Sequence, residues 1–128
     1  MRPGSSASAV CLTIFVFILS GCVSSSGSSQ RSLGQITMDC VNKVMNSNVG
    51  LPDIVILKRS QFASLFGAQY DGYYVGREQR VYLSSSGDGS LLAHELAHHV
   101  QISSGRYINE AEAEHVAMRC ANTRGWRG

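Results

Sequence analysis

The sequence predicts a small α+β domain, and two features indicate this fold class. Apolar residues recur every three to four positions in several segments, which is typical of amphipathic helices. Between these segments lie one short β-branched run and a pair of aromatic runs that have the composition of strands. The resulting order within residues 33–128 is helix, strand, helix, hairpin, helix, helix. That order suits one domain with a small antiparallel or mixed sheet.

The first half of this domain is expected to contain two helices and a strand. Apolar residues at helical spacing predict a helix over residues 35–46. After Pro52, the β-branched run at residues 54–57 is expected to form a central strand. Ser60 can then cap a brief helix that Gly67 terminates.

A β-hairpin and a longer helix are expected next. Residues 73–75 and 80–83 are aromatic and β-branched, and a four-residue loop with one glycine joins them, which predicts a hairpin. A serine- and glycine-rich loop follows, in which Asp88 or Ser90 can cap the next helix. That helix is expected to end at about Gly105.

This longer helix carries His94, Glu95 and His98 in the spacing HExxH. Positions four apart share a helix face, so the two histidines can offer ring nitrogens to one metal ion. Glu95 lies about 100° around the helix from His94, where its carboxylate can deprotonate a metal-bound water. The pattern is typical of zinc metallopeptidases. The alternative is a surface helix with histidines that happen to be spaced by four, but leucine and valine residues give this helix an apolar side.

The last helix, expected over residues 109–122, offers a third ligand, which a catalytic zinc site requires. Glu110 shares a stripe with the small, buriable residues of this helix and is the favoured ligand. Glu114 lies one turn further along the same side and is expected to hold a histidine ring by its distal N–H. Glu112 points elsewhere. Glu112 and Glu114 nevertheless remain open as alternative ligands.

The run from Asn109 to Glu114 resembles the gluzincin pattern, in which an HExxH helix is followed by a helix that carries N-E-x-x-x-D. The resemblance covers residues 91–121. It implies Glu110 as the third zinc ligand and Glu114 in place of the Asp that orients a histidine. Two departures are visible: Glu114 is longer than Asp, and only 11 residues separate His98 from Glu110, so the connection is short. The run Glu110-x-Glu112-Ala113 also resembles compact single-domain gluzincins.

The resemblance also implies a minimal zincin-like fold, with a small sheet packed on the HExxH helix and a C-terminal ligand helix. The strand at residues 80–83 would then be the edge strand that binds an extended peptide. In thermolysin-like enzymes a second subdomain supplies a Tyr and a His that stabilise the oxyanion. This chain has no room for that subdomain, so Tyr107 and, less favoured, His115 are the nearby candidates. His99 is expected to support the site or to lie at the surface.

The front of the chain has the pattern of a bacterial lipoprotein. Residues 1–21 contain Arg2 and a short apolar core, as in a signal peptide, and they end in a segment that resembles the lipobox before Cys22. Lipidation of Cys22 would anchor the protein to a membrane without spanning it. Residues 22–32 are rich in serine and are expected to form a flexible tether. Val23 follows Cys22, at the position where Asp favours retention in the inner membrane of Gram-negative lipoproteins. The resemblance therefore implies sorting to the outer membrane in such a host. An ordinary signal peptide is the alternative.

Removal of the signal peptide and lipidation of Cys22 would leave Cys40 and Cys120. An exported pair without a third partner predicts one disulfide bond. Two separate buried thiols are the alternative. Neither cysteine lies in a paired motif of the kind that binds zinc.

Charge gives no indication of a nucleic-acid partner, because the net charge is +2 and no basic run occurs. The expected function is hydrolysis of peptide bonds in a peptide or protein substrate. Zn²⁺ would be held by His94, His98 and Glu110, and Glu95 would assist attack by a zinc-bound water. Two alternatives remain open: a non-catalytic metal-binding or structural lipoprotein, and a hydrolase of cell-wall amides on the same fold.

Overall fold

A computed structural model describes residues 28–121 of the chain, with side chains from residue 33 onward. The expected signal peptide, Cys22 and the first part of the tether lie outside the described residues. Four helices and three strands follow one another in the predicted order: α1 (Ser28–Met45), β1 (Asp53–Leu57), α2 (Arg59–Phe66), β2 (Gly72–Val75), β3 (Arg80–Ser84), α3 (Gly89–Ser103) and α4 (Glu110–Cys120). The α+β class predicted from the sequence is therefore confirmed.

The first helix is longer than expected, since it begins at Ser28 rather than near residue 35. Residues 28–32, expected as part of the tether, are helical in the structure. Serine and glutamine disfavour a helix by only a few tenths of a kcal/mol per residue. Extension of an existing helix adds one hydrogen bond for each residue fixed, so this composition does not prevent the longer helix.

The three strands form one mixed sheet in the order β1-β3-β2. β1 runs parallel to β3, and β2 runs antiparallel to β3 as the predicted hairpin. Two expectations are wrong here: β1 is an edge strand rather than a central one, and β3 is central rather than an edge. The reason lies in burial, since Val81 and Leu83 of β3 are buried whereas Ile56 of β1 is 43% exposed. A β-branched run indicates a strand but does not specify its neighbours.

The core lies between the sheet and helices α3 and α4. α3 packs against α4, β2 and β3. The apolar core draws on α1, β3, α3 and α4, and it includes Met38, Val41, Val81, Leu83, Leu92, Leu96, Val100 and Val116. Within residues 28–121, no helix combines the length and the apolarity that are needed to cross a bilayer.

A disulfide bond joins α1 to the end of α4. The sulfur atoms of Cys40 and Cys120 lie 2.06 Å apart, and their Cα atoms are 5.9 Å apart. This is the pair that the cysteine count predicts. The bond spans 80 positions of the chain and fixes the helix that carries Glu110 to the first helix of the domain.

Candidate metal centre

Helix α3 is the rigid element on which the centre is built. Asp88 caps it by accepting hydrogen bonds from the backbone N–H groups of Ser90 and Leu91. Hydrogen bonds from Ser90 and from the backbone of Leu91 hold the pKa of Asp88 below its usual value, so this cap stays ionised at the positive end of the helix. Residues 95–101 of α3 are all buried. Side chains on such a helix have few alternative positions.

Three side chains from two helices converge on one point. The Nε2 atoms of His94 and His98 lie 3.1 Å apart. Glu110 of α4 places Oε2 3.1 Å from Nε2 of His94, and Oε1 3.3 Å from Nε2 of His98. In a tetrahedral zinc site with bonds of about 2.0–2.1 Å, ligand atoms lie about 3.3 Å from one another. Two imidazoles and a carboxylate at these separations fit zinc in both donor type and spacing.

The short loop after α3 and the cap of α4 bring Glu110 to this point. The side chain of Asn109 accepts a hydrogen bond from the backbone N–H of Glu112 and starts the helix, so Glu110 stands in its first turn. Glu114 follows one turn later, with Oε2 3.6 Å from Nδ1 of His94. The structure thus places Glu114 beside the distal ring nitrogen of a histidine, as predicted, but this distance is too long for a hydrogen bond.

Glu112 faces away from the histidines and cannot serve as the third ligand in this arrangement. Its Oε2 accepts hydrogen bonds from Nε2 of Gln101 at 2.8 Å and from Arg106 at 2.7 Å. The bond from Gln101, followed by the bond and charge of Arg106, lowers the pKa of Glu112, so this side chain is an ionised structural anchor. The structure therefore favours Glu110 among the three carboxylates.

Glu95 is the buried acid beside the cluster. Burial first, and then the negative charge of Glu110, raise its pKa to about 7, while a hydrogen bond from the backbone N–H of Tyr74 lowers it in part. A carboxylate whose pKa lies near neutrality is suited to take up and release a proton. Gly72 allows strand β2 to lie close to Glu95, because a Cβ atom at position 72 would lie only 3.0 Å from Oε1 of Glu95.

Gln101 was not identified from the sequence, although it is fully buried beside His98. Its Oε1 lies 3.0 Å from Nδ1 of His98. His99, which was expected to support the site or to lie at the surface, is buried, so the surface alternative is wrong. Its Nε2–H donates to the carbonyl of Gly50, and its Nδ1 accepts from the hydroxyl of Tyr74, both at 2.9 Å. Burial lowers the pKa of His99, which therefore acts as a neutral packing residue that supports β2.

The structure does not bring Tyr107 to the site, so its expected catalytic role is not supported. The residue is 95% exposed in the loop between α3 and α4. That loop spans only residues 104–109, and the hydrogen bonds between Gln101 and Asn109 hold it close to α3, which leaves Tyr107 pointing outward. His115 is exposed on α4 as well.

Two clefts adjoin the cluster and share part of their lining. One of about 340 Å³ includes Tyr73, Tyr74 and Ile108 in its lining, and another of about 600 Å³ lies toward Glu114 and the loop before α3. His94, Glu95, Gly72 and Tyr70 line both clefts. Tyr70 lies in the loop before β2 and was also missed, since no local pattern marks a loop tyrosine as part of a site.

Strand β2, rather than β3, is the edge strand beside the candidate metal centre. The sequence predicted that residues 80–83 would form this edge, but β3 is paired on both sides. β2 has one free edge, lines the clefts with Gly72, Tyr73 and Tyr74, and contacts Glu95 through a backbone N–H.

Comparisons of this chain with protein-family models, with curated proteins and with solved structures find no match.

Proposed function

We propose that this chain is a zinc-dependent peptidase that hydrolyses peptide bonds. One observation carries the proposal: His94, His98 and Glu110 converge from two helices at ligand-to-ligand distances of 3.1–3.3 Å, with the buried Glu95 beside them. A purely structural metal site has no use for a buried carboxyl group at this position. The resemblance of both helices to the gluzincin pattern gives further support.

Zinc in a site with three protein ligands supplies Lewis acidity, because it polarises a carbonyl and lowers the pKa of water at its open position. The residues of the chain divide the remaining tasks. Glu95 accepts a proton from the attacking water and returns it to the leaving amine. The backbone N–H of Tyr74 holds the Glu95 carboxylate in place during both transfers.

The two clefts beside the cluster suit an extended peptide. Because both clefts are lined by His94 and Glu95, a chain that runs from one to the other passes the proposed catalytic group. β2 contributes Gly72 to both clefts and Tyr73 and Tyr74 to one of them, and its unpaired edge offers backbone groups for pairing with such a chain. A peptide or protein substrate is therefore part of the proposal.

The place of action is proposed on sequence alone, from the lipobox-like segment before Cys22. A lipid anchor there would hold the enzyme in the cell envelope, at the periplasmic face of the outer membrane in a Gram-negative host. Cys22→Ala should abolish labelling by acyl chains and leave unprocessed precursor. Unchanged labelling would rule out this anchor.

The decisive experiment measures zinc content and peptide hydrolysis together in the purified full chain. The wild type should hold about one zinc per chain and should cleave an unstructured protein substrate. Glu95→Gln should keep the zinc and lose about 10²–10⁴-fold in activity, as expected for a general base. His94→Ala should lose both. Zinc binding without hydrolysis by the wild type would favour a non-catalytic metal-binding protein or a cell-wall amide hydrolase, which a peptidoglycan digest distinguishes.

A further inference from the structure

Gln101 lies at the junction of the two ligand-bearing helices. It is fully buried, and its amide makes four hydrogen bonds. Nε2 lies 3.0 Å from the carbonyl oxygen of Asn109 and 2.8 Å from Oε2 of Glu112. Oε1 lies 3.1 Å from the backbone N–H of Asn109 and 3.0 Å from Nδ1 of His98.

These neighbours fix the orientation of the amide. A carbonyl oxygen and an ionised carboxylate only accept hydrogen bonds, so the group that faces Asn109 O and Glu112 must be the NH₂ of Gln101. The backbone N–H of Asn109 only donates, so the other group must be the carbonyl oxygen. Since Oε1 can only accept, Nδ1 of His98 must carry a hydrogen. In the neutral imidazole, Nε2 of His98 then presents its lone pair toward His94 and Glu110.

The same amide also sets the start of α4. Two of its bonds go to the backbone N–H and C=O of Asn109, the residue that caps α4 and directly precedes Glu110. Arg106 holds Glu112 from the other side and completes the network. Because Gln101 is fully buried, replacing its amide costs more than a single hydrogen bond, since the remaining partners are left unpaired.

We propose that Gln101 is a positioning residue for the metal centre. Gln101 selects the tautomer of His98 in which Nε2 is free to bind a metal, and it fixes the position of Glu110 relative to His98. The proposal rests on the proposed function only in taking His98 and Glu110 as ligands. One buried side chain thus controls two of the three ligands, although they lie on different helices. Outer partners of metal-binding histidines typically contribute 10–100-fold to metal affinity or activity.

The tautomer is tested in the metal-free wild-type protein, which requires no substitution. Nitrogen NMR of the histidine rings at about pH 8.5 should show His98 protonated on Nδ1 and unprotonated on Nε2. A proton on Nε2 of His98 would overturn the proposal.

Variants test the effect on the metal. Gln101→Met keeps the volume but removes all four bonds, and it should weaken zinc binding by about 10–100-fold in competition with a chelator. Gln101→Glu should weaken it as well, because its carboxylate meets that of Glu112. Adding Glu112→Gln to Gln101→Glu should restore part of the affinity, since the new amide can donate to the new carboxylate, whereas the bond to the carbonyl of Asn109 stays lost. Gln35→Met, on an exposed face of α1, serves as the control and should bind zinc as the wild type does.

The outcomes separate this proposal from the peptidase proposal. If Gln101→Met does not fold, the tautomer in the wild type and the rescue of Gln101→Glu by Glu112→Gln still decide the matter. Zinc affinity of a folded Gln101→Met within about threefold of the wild type, or a double variant no better than Gln101→Glu, would contradict the role of Gln101. Correct tautomer and rescue without peptide hydrolysis would instead leave Gln101 as a positioning residue in a non-catalytic site.

Discussion

At the scale of single residues, the candidate centre contains one buried carboxylate, Glu95, whose negative charge destabilises the folded state. Glu95 is 6% exposed, and its carboxyl group has a pKa of about 7 instead of 4.5 because of burial and the nearby Glu110. A carboxylate with this raised pKa accepts a proton near neutral pH, whereas an exposed glutamate does not. Its presence in the metal-free protein therefore opposes folding at neutral and alkaline pH.

Glu95→Gln should stabilise the metal-free protein above pH 7. The folded state holds more protons than the unfolded state between pH 4.5 and about 7, so the wild type loses stability as the pH rises through that window. Glutamine does not titrate, and the gain at pH 8 should approach roughly 3 kcal/mol as an upper limit. Urea unfolding at pH 8 and at about pH 4.5 measures it. An equal stability difference at the two pH values would contradict the raised pKa of Glu95.

Gly72→Ala should reduce activity more than zinc binding. Its Cβ atom would lie 3.0 Å from Oε1 of Glu95 and from side-chain carbons of Leu91, so the carboxyl group of Glu95, the proposed general base, must shift. Overpacking of this kind costs about 1–3 kcal/mol of stability. Gly50→Ala is the matched control, because no atom lies within 4 Å of its Cβ position. Both variants are compared for zinc content, hydrolysis and thermal unfolding, and equal effects would argue against a special role of Gly72.

At the scale of elements, the site is a junction between α3 and α4. α3 contributes the half-buried His94 and the buried His98, whereas α4 contributes the exposed Glu110 from its first turn. The first turn of a helix favours a negative side chain, so Glu110 is compatible with α4 even when no metal is bound. The neighbouring Glu112 serves a different purpose, since it anchors the loop through Arg106.

Glu110→Gln and Glu112→Gln should therefore differ in zinc affinity. Loss of the Glu110 carboxylate removes a ligand and should weaken zinc binding by more than about 100-fold, beyond the usual effect of an outer residue. Glutamine at position 112 can still accept from Gln101, so this change should cost less than about 10-fold. Chelator competition gives both constants under the same conditions. Equal losses in the two variants would refute the assignment of Glu110.

At the scale of the whole molecule, the disulfide bond closes the domain. It ties the last turn of α4 to α1, so the ligand helix is fixed at its far end as well as at its cap. For a domain that begins at Leu33, a loop of 80 positions is a large share of the chain. Closing a loop of this length reduces the entropy of the unfolded state, worth about 4 kcal/mol by the chain-entropy account.

Reduction of the Cys40–Cys120 bond should lower the thermal unfolding temperature and weaken zinc binding together, because both depend on how α4 is held. The full chain is compared with and without a thiol reductant, and the double variant Cys40→Ser/Cys120→Ser should match the reduced protein. Mass analysis under non-reducing conditions should find the two cysteines linked. Free alkylation of both thiols in the native exported protein would contradict the prediction.

The sequence by itself determined the parts of this protein that depend on local spacing. The period of a helix is constant, so His94, Glu95 and His98 could be assigned to one helix and Glu110 to a stripe of the next. The hairpin followed from its composition and short loop, and the disulfide pair followed from a count of cysteines.

Tertiary packing decided the rest, because it depends on how segments far apart in the chain meet. The position of β3 in the middle of the sheet, and hence of β2 beside Glu95, follows from which strand the core buries. The role of Gln101 arises only where α3 meets the cap of α4, and the exposure of Tyr107 follows from the same junction. Local periodicity carries no information about such meetings, since the same residue pattern can pack against different partners.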